Sequence, residues 1–519
     1  MKAVLLLLAS ATMALAAPAK DEIAAMPGWS GALPSKQYSG FIAVDDGPGG
    51  QHIMMHYNFI ESRSSPSKDP VILWQQGGPG SSGFGFGYMT ELGPFHLSAS
   101  SMSGGPSAVP KLHANPDAWD KQGNVLILEH PPGTGYSYCH DGNNKPVMCL
   151  WNDDTQAEAF LQELQGFFKL FPEFSGRELF ITGESYAGLL VPNLMNQILL
   201  KEAEKELNVM GVALGNGCTG QPGMSSENPG RCNLGGQFDQ QHNVDLFYGH
   251  GMVPKKMYNE VYKQCNFTCG PEIKACDGPY SSQCSKLISQ MSDKLGEYNI
   301  YNIYDTCGSG NMSAPAALNL FGAAPSAAAA AEQYTDSSYG TMAQHTVRLA
   351  RHELELRAGV SGGPPFSYPC GTGGAVNAWM NNEEVRKAIH MPSKKFYNTS
   401  WPCRGMQYQG YTHASIDLWP TLIKHFRVVI YNGDVDACVP YNGNEDWTAG
   451  LGLAEVESWR PWLVDEVPAG YVTTYAVPGQ LSGANFTFLT IKDAGHMVPG
   501  YQPQRATAML KRFLAGGPY

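Results

Sequence analysis

The sequence predicts an α/β fold in which a mostly parallel central sheet is flanked by helices and carries an inserted cap. Three observations lead to this prediction: short continuous apolar runs, helical patterns between those runs, and a long stretch after residue 216 where both signals stop. The chain has 519 residues, 43% hydrophobic and 15% charged, which is enough apolar material for a large core. We therefore expect one core with a large insertion.

Six short apolar runs are the predicted strands of the central sheet. They lie at 71–74, 125–128, 179–182, 212–214, 428–431 and 489–491. Runs that are this short and continuously apolar are typical of strands buried on both faces, as in parallel sheets. Catalytic loops are expected at the carboxyl ends of such strands.

The clearest helical pattern lies at 153–171 and starts with a cluster of Asn and Asp that can cap a helix. Its large apolar residues recur at helical spacing: Phe160, Leu164, Phe167, Phe168 and Phe171. Pro172 then ends the pattern. A second helical stretch at 189–200 follows the strand at 179–182, so strand and helix alternate along the chain.

The amino terminus has the pattern of a signal peptide. Lys2 precedes a short apolar run at 4–8, and Ala14 and Ala16 flank Leu15 in the small-residue arrangement of a cleavage site. The apolar run is too short to span a bilayer, and no later stretch resembles a membrane span. We expect cleavage after residue 16 or 17 and entry into the secretory pathway, with an extracellular or vacuolar/lysosomal destination.

The insertion replaces strand and helix patterns by Cys, Gly and Tyr and by an alanine-rich tract at 323–331. We predict a disulfide-rich cap over the site. The predicted organisation is a signal peptide at 1–16, the first part of the core at 17–216, the cap at 217–375 and the second part of the core at 376–519. The alanine-rich region is either a helix or an exposed loop open to proteolysis.

Twelve cysteines favour disulfides, because a secreted protein meets an oxidising compartment. Cys139 and Cys149 bracket a turn-rich segment and can staple a hairpin. The insertion holds a denser cluster: Cys265, Cys269, Cys276 and Cys284. Zinc is the alternative for this cluster, but the paired C-x-x-C spacing and neighbouring histidines that zinc sites use are missing. The pairing within the cluster stays open.

Four N-x-S/T sequons fit the same compartment and are candidate glycosylation sites: Asn266, Asn311, Asn398 and Asn485. The formal net charge is −12, and no basic patch is visible. This charge argues against nucleic acid or an anionic membrane as a partner. It suits a soluble protein that works in acid surroundings.

The first chemical motif is Gly-Glu-Ser-Tyr-Ala-Gly at 183–188, between a predicted strand and a predicted helix. A sharp strand-to-helix turn exposes a serine nucleophile and tolerates only small neighbours, here Gly183 and Ala187. Ser185 is therefore the candidate nucleophile. Ala187 stands where the G-x-S-x-G pattern has glycine, but the small size is kept.

Two later strands end in the residues that such a serine needs. The strand at 428–431 leads into Asp434 and Asp436, and the strand at 489–491 leads into a glycine-flanked loop with His496. A histidine general base oriented by a carboxylate completes a catalytic triad. The order Ser, Asp, His along the chain is the order of the α/β-hydrolase fold. Strand position alone does not decide whether Asp434 or Asp436 is the acid of the triad.

A glycine-rich loop follows the strand at 71–74, with the sequence Gly-Gly-Pro-Gly-Ser-Ser at 77–82. In this fold, a loop after an early strand supplies one oxyanion-hole amide and the residue after the nucleophile supplies the other. We assign these two donors to Gly78 and Tyr186.

Together, the segments W-x-x-G-G-P-G-S-S, G-E-S-Y-A-G, N-G-D-x-D and G-H-M-V-P resemble those of the serine carboxypeptidases, the family of carboxypeptidase Y and cathepsin A. Shorter segments at 91–94, 131–137, 215–217 and 381–390 also resemble segments of this family. The resemblance implies the α/β-hydrolase fold, a hydrolase that acts on peptide or protein C-termini through an acyl-enzyme at acid pH, and no metal or organic cofactor. It also implies that Asp436 is the triad acid.

The resemblance further implies that Gln76, Gly77 and Glu184 hold the terminal carboxylate of the substrate, with Glu91 next to Glu184. The family usually has Asn at the position of Gln76, whose amide reaches one methylene further. The segment at 82–90 is one residue longer than is usual in the family. Cys438 resembles a cysteine found near the site in some members, and a disulfide to Cys403 is the structural alternative.

Two other functions are open to a chain with these motifs. Acyl transfer to an alcohol would keep the fold and triad, but relatives of that kind often have Asp before the nucleophile, where this chain has Glu184. A catalytically idle binding protein would not need every triad position filled. The sequence leaves the oligomeric state open, including a homodimer.

Overall fold

The fold is organised around one twelve-stranded sheet. A computed structural model describes residues 17–104, 108–143, 145–220, 238–265, 267, 281–296, 298–305, 372–392, 405–409, 414–481 and 485–519. The predicted signal peptide and the alanine-rich tract lie outside the described residues. No helix within these ranges is both long enough and apolar enough to span a bilayer.

The strands that the structure describes are β1 (Gln37–Gly47), β2 (Gln51–Ile60), β3 (Val71–Gln75), β4 (Phe95–His96), β5 (His113–Ala114), β6 (Asn124–Leu128), β7 (Tyr138–His140), β8 (Pro146–Val147), β9 (Cys149–Asn152), β10 (Leu179–Glu184), β11 (Val209–Gly215), β12 (Met406–Gln409), β13 (Arg427–Gly433), β14 (Glu455–Val464), β15 (Val467–Tyr475) and β16 (Phe486–Ile491). The described helices are α1 (Asp153–Leu170), α2 (Ala187–Leu200), α3 (Glu204–Leu207), α4 (Phe238–Gly249), α5 (Lys255–Cys265), α6 (Ser282–Leu295), α7 (Thr372–Met380), α8 (Glu383–Ala388), α9 (Trp419–His425), α10 (Tyr441–Gly450), α11 (Val498–Tyr501) and α12 (Pro503–Ala515), with a π-helix at Gly83–Leu92.

The middle of the sheet consists of six parallel strands in the order β16, β13, β11, β10, β3, β6. Each predicted strand lies within one of these six. The predicted α/β fold class is thus confirmed. Both edges of the sheet are antiparallel: β15 and β14 extend it beyond β16, and β2, with β1 and β7, extends it beyond β6. The whole sheet is therefore mixed, with its parallel part at the centre.

Apolar clusters cover both faces of the sheet, as continuous apolar strands require. One cluster joins the strands to α1 and α2 through side chains such as Phe160 and Leu194. The other joins them to the π-helix, α7 and α12 through Phe84, Trp379 and Phe513. The predicted helix at 153–171 is α1, whose cap Asn152 accepts hydrogen bonds from the amides of the first turn.

Part of the insertion forms a separate apolar cluster of α4, α5, α6 and the segment 298–305. Val435 and Ala437, from the loop after β13, belong to the same cluster. Two backbone hydrogen bonds reinforce this contact: Ile303 N donates to Val435 O (3.0 Å), and Ala437 N donates to Ile300 O (2.9 Å). The insertion therefore packs against the loop that carries Asp436.

The structure contains the predicted Cys139–Cys149 disulfide. Within the cysteine cluster, a Cys265–Cys284 disulfide joins α5 to α6, while Cys269 and Cys276 lie outside the described residues. Cys403 and the sequons at Asn266, Asn311 and Asn398 also lie outside them. Asn485 is exposed, directly before β16.

Candidate active site

Ser185 occupies a sharp turn between β10 and α2. Its φ of 62° lies in the left-handed region, which is strained for a residue with a side chain. The turn is closed by Ser185 N donating to Gly215 O at 3.0 Å. A Cβ at Gly183 would lie 2.6 Å from Gln75 O and 2.8 Å from the Cβ of Ala187, so only glycine fits there. The strand, the helix and the small neighbours thus hold a half-buried serine in the geometry of a nucleophile turn.

Asp436 and His496 form a direct pair beyond the ends of β13 and β16. His496 Nδ1 lies 2.7 Å from Asp436 Oδ2, and both side chains are buried. The carboxylate also accepts hydrogen bonds from the amides of Cys438 (2.8 Å) and Val439 (3.1 Å). These contacts fix the carboxylate, which in turn orients the imidazole ring.

Asp434, the other carboxylate that the sequence leaves open, has a different role. Its Oδ1 accepts a hydrogen bond from Asp493 N at 2.7 Å, which links the loops after β13 and β16. Burial raises the pKa of its carboxyl to about 7. No hydrogen bond joins Asp434 to His496 among the described residues. The geometry therefore favours Asp436 as the partner of the histidine.

Asn216 links the serine turn to the acid and was not singled out by the sequence analysis. It directly follows Gly215, and its Nδ2 donates to Asp436 Oδ2 at 2.8 Å. Its Oδ1 accepts from Gly433 N at 2.9 Å. Asn216 thus connects β11, which closes the Ser185 turn, to the loop that holds Asp436. The Gly-Asn-Gly segment at 215–217 was the signal, but it did not reveal this contact.

The glycine-rich loop lies against the serine turn. A Cβ at Gly77 would lie 2.5 Å from Ser185 Cβ and 2.6 Å from Tyr186 N, so this close approach requires glycine. Gly78 has a φ of 114°, and its amide donates to no acceptor among the described residues. The two amides assigned to the oxyanion hole, those of Gly78 and Tyr186, therefore belong to segments in contact beside Ser185.

Gln76, Glu91 and Glu184 form a buried polar cluster next to the serine. Gln76 Nε2 lies 2.6 Å from Glu184 Oε1 and 3.3 Å from Glu91 Oε1, while Trp74 Nε1 donates to Gln76 Oε1 at 2.8 Å. The tryptophan therefore directs the amide NH₂ of Gln76 toward both carboxyl groups. Glu91 Oε2 and Glu184 Oε2 are buried and accept from no N–H or hydroxyl of the described residues, but the two carboxyl groups are close enough to share a hydrogen bond when one is protonated.

Both carboxyl groups of this cluster hold protons more tightly than an exposed glutamate. Burial raises the pKa of Glu184 well above its usual value, and the nearby Glu91 raises it further. Burial also raises the pKa of Glu91 to about 7. Two adjacent buried carboxyl groups resist full ionisation, because their charges repel each other in a poorly solvated site. The cluster therefore carries protons in acid solution.

The π-helix at Gly83–Leu92 places Glu91 in this cluster. A hydrogen bond from Gly93 N to Tyr88 O, five residues back, is of the π-helical type. A π-helical turn holds more residues than an α-helical turn. The segment at 82–90, which we expect to be one residue longer than is usual in the family, therefore lies in a π-helix, whose wide turns can accommodate an extra residue.

The insertion also reaches His496, which the sequence analysis did not anticipate. His496 N donates to Tyr301 O at 2.8 Å, and the Tyr301 and His496 rings lie 5.1 Å apart. A Cβ at Gly495 would lie 2.1 Å from Tyr301 O, so glycine is needed at this contact. The insertion thus contacts the loops of both Asp436 and His496.

Comparisons with known proteins are consistent across the whole chain. A family model described as "Serine carboxypeptidase" matches residues 27–516. "Serine carboxypeptidase 1" of Hordeum vulgare is 33% identical over 523 residues, covering 96% of this chain and 94% of the relative. "Serine carboxypeptidase-like 20" of Arabidopsis thaliana is 32% identical, covering 96% of this chain and 94% of the relative. "Lysosomal protective protein" of Mus musculus is 31% identical, covering 99% of this chain and 98% of the relative.

Among solved structures, Kex1(Δ)p, described as a prohormone-processing carboxypeptidase from Saccharomyces cerevisiae, matches with a TM-score of 0.58. The match covers 96% of this chain and 95% of the other at 17% sequence identity. At this identity the likeness concerns the fold. It confirms the α/β-hydrolase fold.

Proposed function

This chain belongs to the serine carboxypeptidase family and is a serine-type peptide hydrolase, and we propose that it releases single amino acids from peptide C-termini through an acyl-enzyme on Ser185. The observation that carries this proposal is the cluster of Gln76, Glu91 and Glu184 beside Ser185. A protonated carboxyl of this cluster can donate to a free carboxylate one residue beyond the scissile bond, while the amide NH₂ of Gln76 holds the two glutamates in place. An endopeptidase has no use for such a site.

In the proposed mechanism, Ser185 Oγ attacks the last peptide carbonyl while His496 takes the hydroxyl proton. The amides of Gly78 and Tyr186 stabilise the oxyanion of the tetrahedral intermediate. His496 then gives its proton to the leaving amine, and the C–N bond breaks. Water, activated by His496, attacks the ester carbonyl and releases the shortened peptide. Asp436 orients His496 throughout, supported by its 2.7 Å contact with Nδ1.

We place this activity in acid surroundings within the secretory pathway, either outside the cell or in a vacuole or lysosome. The raised pKa values of Glu91 and Glu184 support the first part, because a protonated pair attracts a carboxylate that an ionised pair would repel. The signal peptide at 1–16, glycosylation at the four sequons and a cap at 217–375 belong to the same proposal. The disulfides Cys139–Cys149 and Cys265–Cys284 support the compartment.

Digestion of a peptide mixture tests the exopeptidase proposal. We expect mass spectra to show ladders shortened one residue at a time from the carboxyl end, because the cluster requires a free carboxylate. A C-terminally amidated copy of the same peptide, otherwise identical, should be cleaved with at least a tenfold lower kcat/KM. A factor of about ten is the effect expected from the loss of one charged hydrogen bond. Internal fragments without a carboxyl-terminal ladder would rule out this proposal.

A further inference from the structure

Glu129 is a fully buried acid that takes no part in the mechanism above. It directly follows β6, the parallel neighbour of β3, and its side chain has no solvent exposure. A buried carboxyl group is costly unless donors surround it. Its contacts therefore show what the fold holds in place with this residue.

The contacts of Glu129 join three separate segments of the chain. Oε2 accepts from Tyr136 N at 2.6 Å and lies 2.8 Å from His56 Nδ1 on β2. Oε1 accepts from the hydroxyl of Ser82. A Cβ at Gly135 would lie 1.9 Å from Oε1, so the loop containing Gly135 wraps closely around the carboxyl. This explains Gly135 in the segment at 131–137, which the mechanism leaves unused.

His56 gives Glu129 a rigid support. Ser39 Oγ donates to Ile389 O at 2.9 Å, so the 2.9 Å contact between Ser39 Oγ and His56 Nε2 requires the hydrogen on Nε2. The 2.8 Å contact between His56 Nδ1 and Glu129 Oε2 then needs a further hydrogen between these two atoms, because a ring nitrogen without a hydrogen and a carboxylate oxygen are both acceptors. In addition, His56 N donates to Ser137 Oγ at 2.9 Å. The ring is therefore held on both sides within the sheet, and the carboxyl of Glu129 is held with it.

Ser82 is where this support meets the glycine-rich loop. It caps the π-helix, since Gly85 N donates to Ser82 Oγ at 2.8 Å while the hydroxyl hydrogen is directed to Glu129. Only residues 77–81 separate it from Gln76, and both Gly78 and Gly80 have positive φ. Within the segment, Ser81 N donates to Gly77 O at 3.1 Å, and Gly77 packs against the Ser185 turn. Its side-chain hydrogen bonds to the surrounding protein lie at its two ends, Gln76 and Ser82.

We propose that Glu129, supported by His56 and acting through Ser82, is a positioning residue that holds the Gly78 amide in the oxyanion hole. The proposal rests on the oxyanion role proposed for Gly78. Glu129 touches neither substrate nor reacting atoms. It fixes the far end of a loop whose near end is fixed by the contact between Trp74 and Gln76.

A matched pair of serine variants tests the proposal. Ser82→Ala removes the link between Glu129 and the loop, whereas Ser137→Ala removes a buried hydroxyl of the same network that does not touch the loop. We expect Ser82→Ala to lower kcat for peptide and ester substrates by about 10- to 100-fold with little change in KM, since small misplacements of a catalytic group cost up to about 100-fold. Ser137→Ala should keep kcat within about twofold, because it leaves the Gly78 amide in place.

Three further measurements separate positioning from a general loss of structure. Stoichiometric labelling of Ser82→Ala by a fluorophosphonate would show that its serine turn is intact. The affinity of a peptide aldehyde, which forms a tetrahedral adduct with Ser185, should fall in proportion to kcat/KM. Glu129→Leu, which removes the acceptor for the Ser82 hydroxyl, should lower kcat similarly, and Glu129→Leu combined with Ser82→Ala should cost no more than either change alone, because both break the same link.

The proposal is wrong if Ser82→Ala and Ser137→Ala lose equal thermal stability while both keep wild-type kcat. Strictly additive effects of Glu129→Leu and Ser82→Ala on kcat would also overturn it. Failure of the catalytic assignment itself would look different, because Ser185→Ala would then remain active.

Discussion

Replacing Ser185 by alanine is expected to reduce kcat for peptide hydrolysis by about 10⁴-fold or more, since triad residues act as a unit and removing one costs orders of magnitude. Asp436→Asn and His496→Ala should have comparable effects. The asparagine would present an NH₂ group to a site where Asn216, Cys438 and Val439 already direct N–H donors at this side chain. It would therefore disturb the orientation of the imidazole ring. Steady-state kinetics with one N-blocked dipeptide measures all three effects.

Asp434→Asn is the control for the assignment of the acid. Asp434 lies two positions before Asp436 in the same loop, but it contacts the backbone of Asp493. Its variant should keep kcat close to the wild-type value, and circular dichroism should show that all variants are folded. If the Asp434→Asn variant were inactive and the Asp436→Asn variant active, Asp434 would be the acid of the triad.

Raising the pH through the raised pKa values of Glu91, about 7, and of Glu184 is expected to increase KM for peptides by up to about tenfold per pH unit, because the protonated fraction of a single carboxyl falls tenfold per unit above its pKa. The sign follows from the raised pKa values of Glu91 and Glu184. Below them the pair holds a proton that can bridge to the substrate carboxylate. Above them the pair is ionised and repels that carboxylate. Esters or amides without a free carboxylate should therefore keep their KM to higher pH.

Glu184→Gln identifies the group responsible. Glutamine keeps a hydrogen-bond donor and cannot ionise, so the variant should flatten the alkaline rise in KM even if its activity in acid is lower. Asp434→Asn is the matched control, because burial also raises the pKa of Asp434, to about 7, but Asp434 lies outside the cluster of Gln76, Glu91 and Glu184. Its KM profile should follow the wild type. An unchanged alkaline rise in Glu184→Gln would exclude Glu184 as the titrating group.

The six central strands could be predicted because their signal is local. Strands buried on both faces, such as β10 and β13, are continuous apolar runs that need no knowledge of their neighbours. The edge strands gave no comparable signal. In β14, for example, most residues are exposed or half-buried, and its pairing with β15 has several register shifts. Such a strand is specified by its partner rather than by its own composition.

The same distinction holds at the site. The sequence by itself determined the positions of Ser185 and His496 as candidates, because each lies in a short glycine-containing turn directly after a strand and such turns have local sequence patterns. It also placed Gly77 and Gly78 in a loop after β3. With the family resemblance, it singled out Asp436, Gln76, Glu91 and Glu184.

Only the tertiary structure decided how these residues meet. Asn216 and Asp436 are 220 positions apart, and Gln76 and Glu184 are 108 positions apart, yet each pair is joined by a hydrogen bond. The contact of Tyr301 with His496 and the network of His56, Glu129 and Ser82 also join distant segments. A hydrogen bond depends on separations of a few tenths of an ångström, which strand register and packing determine and local residue patterns do not. The sequence therefore predicted which side chains are candidates for the chemistry, and the packing of the sheet and the predicted insertion decided their hydrogen-bond partners and the direction of their pKa shifts.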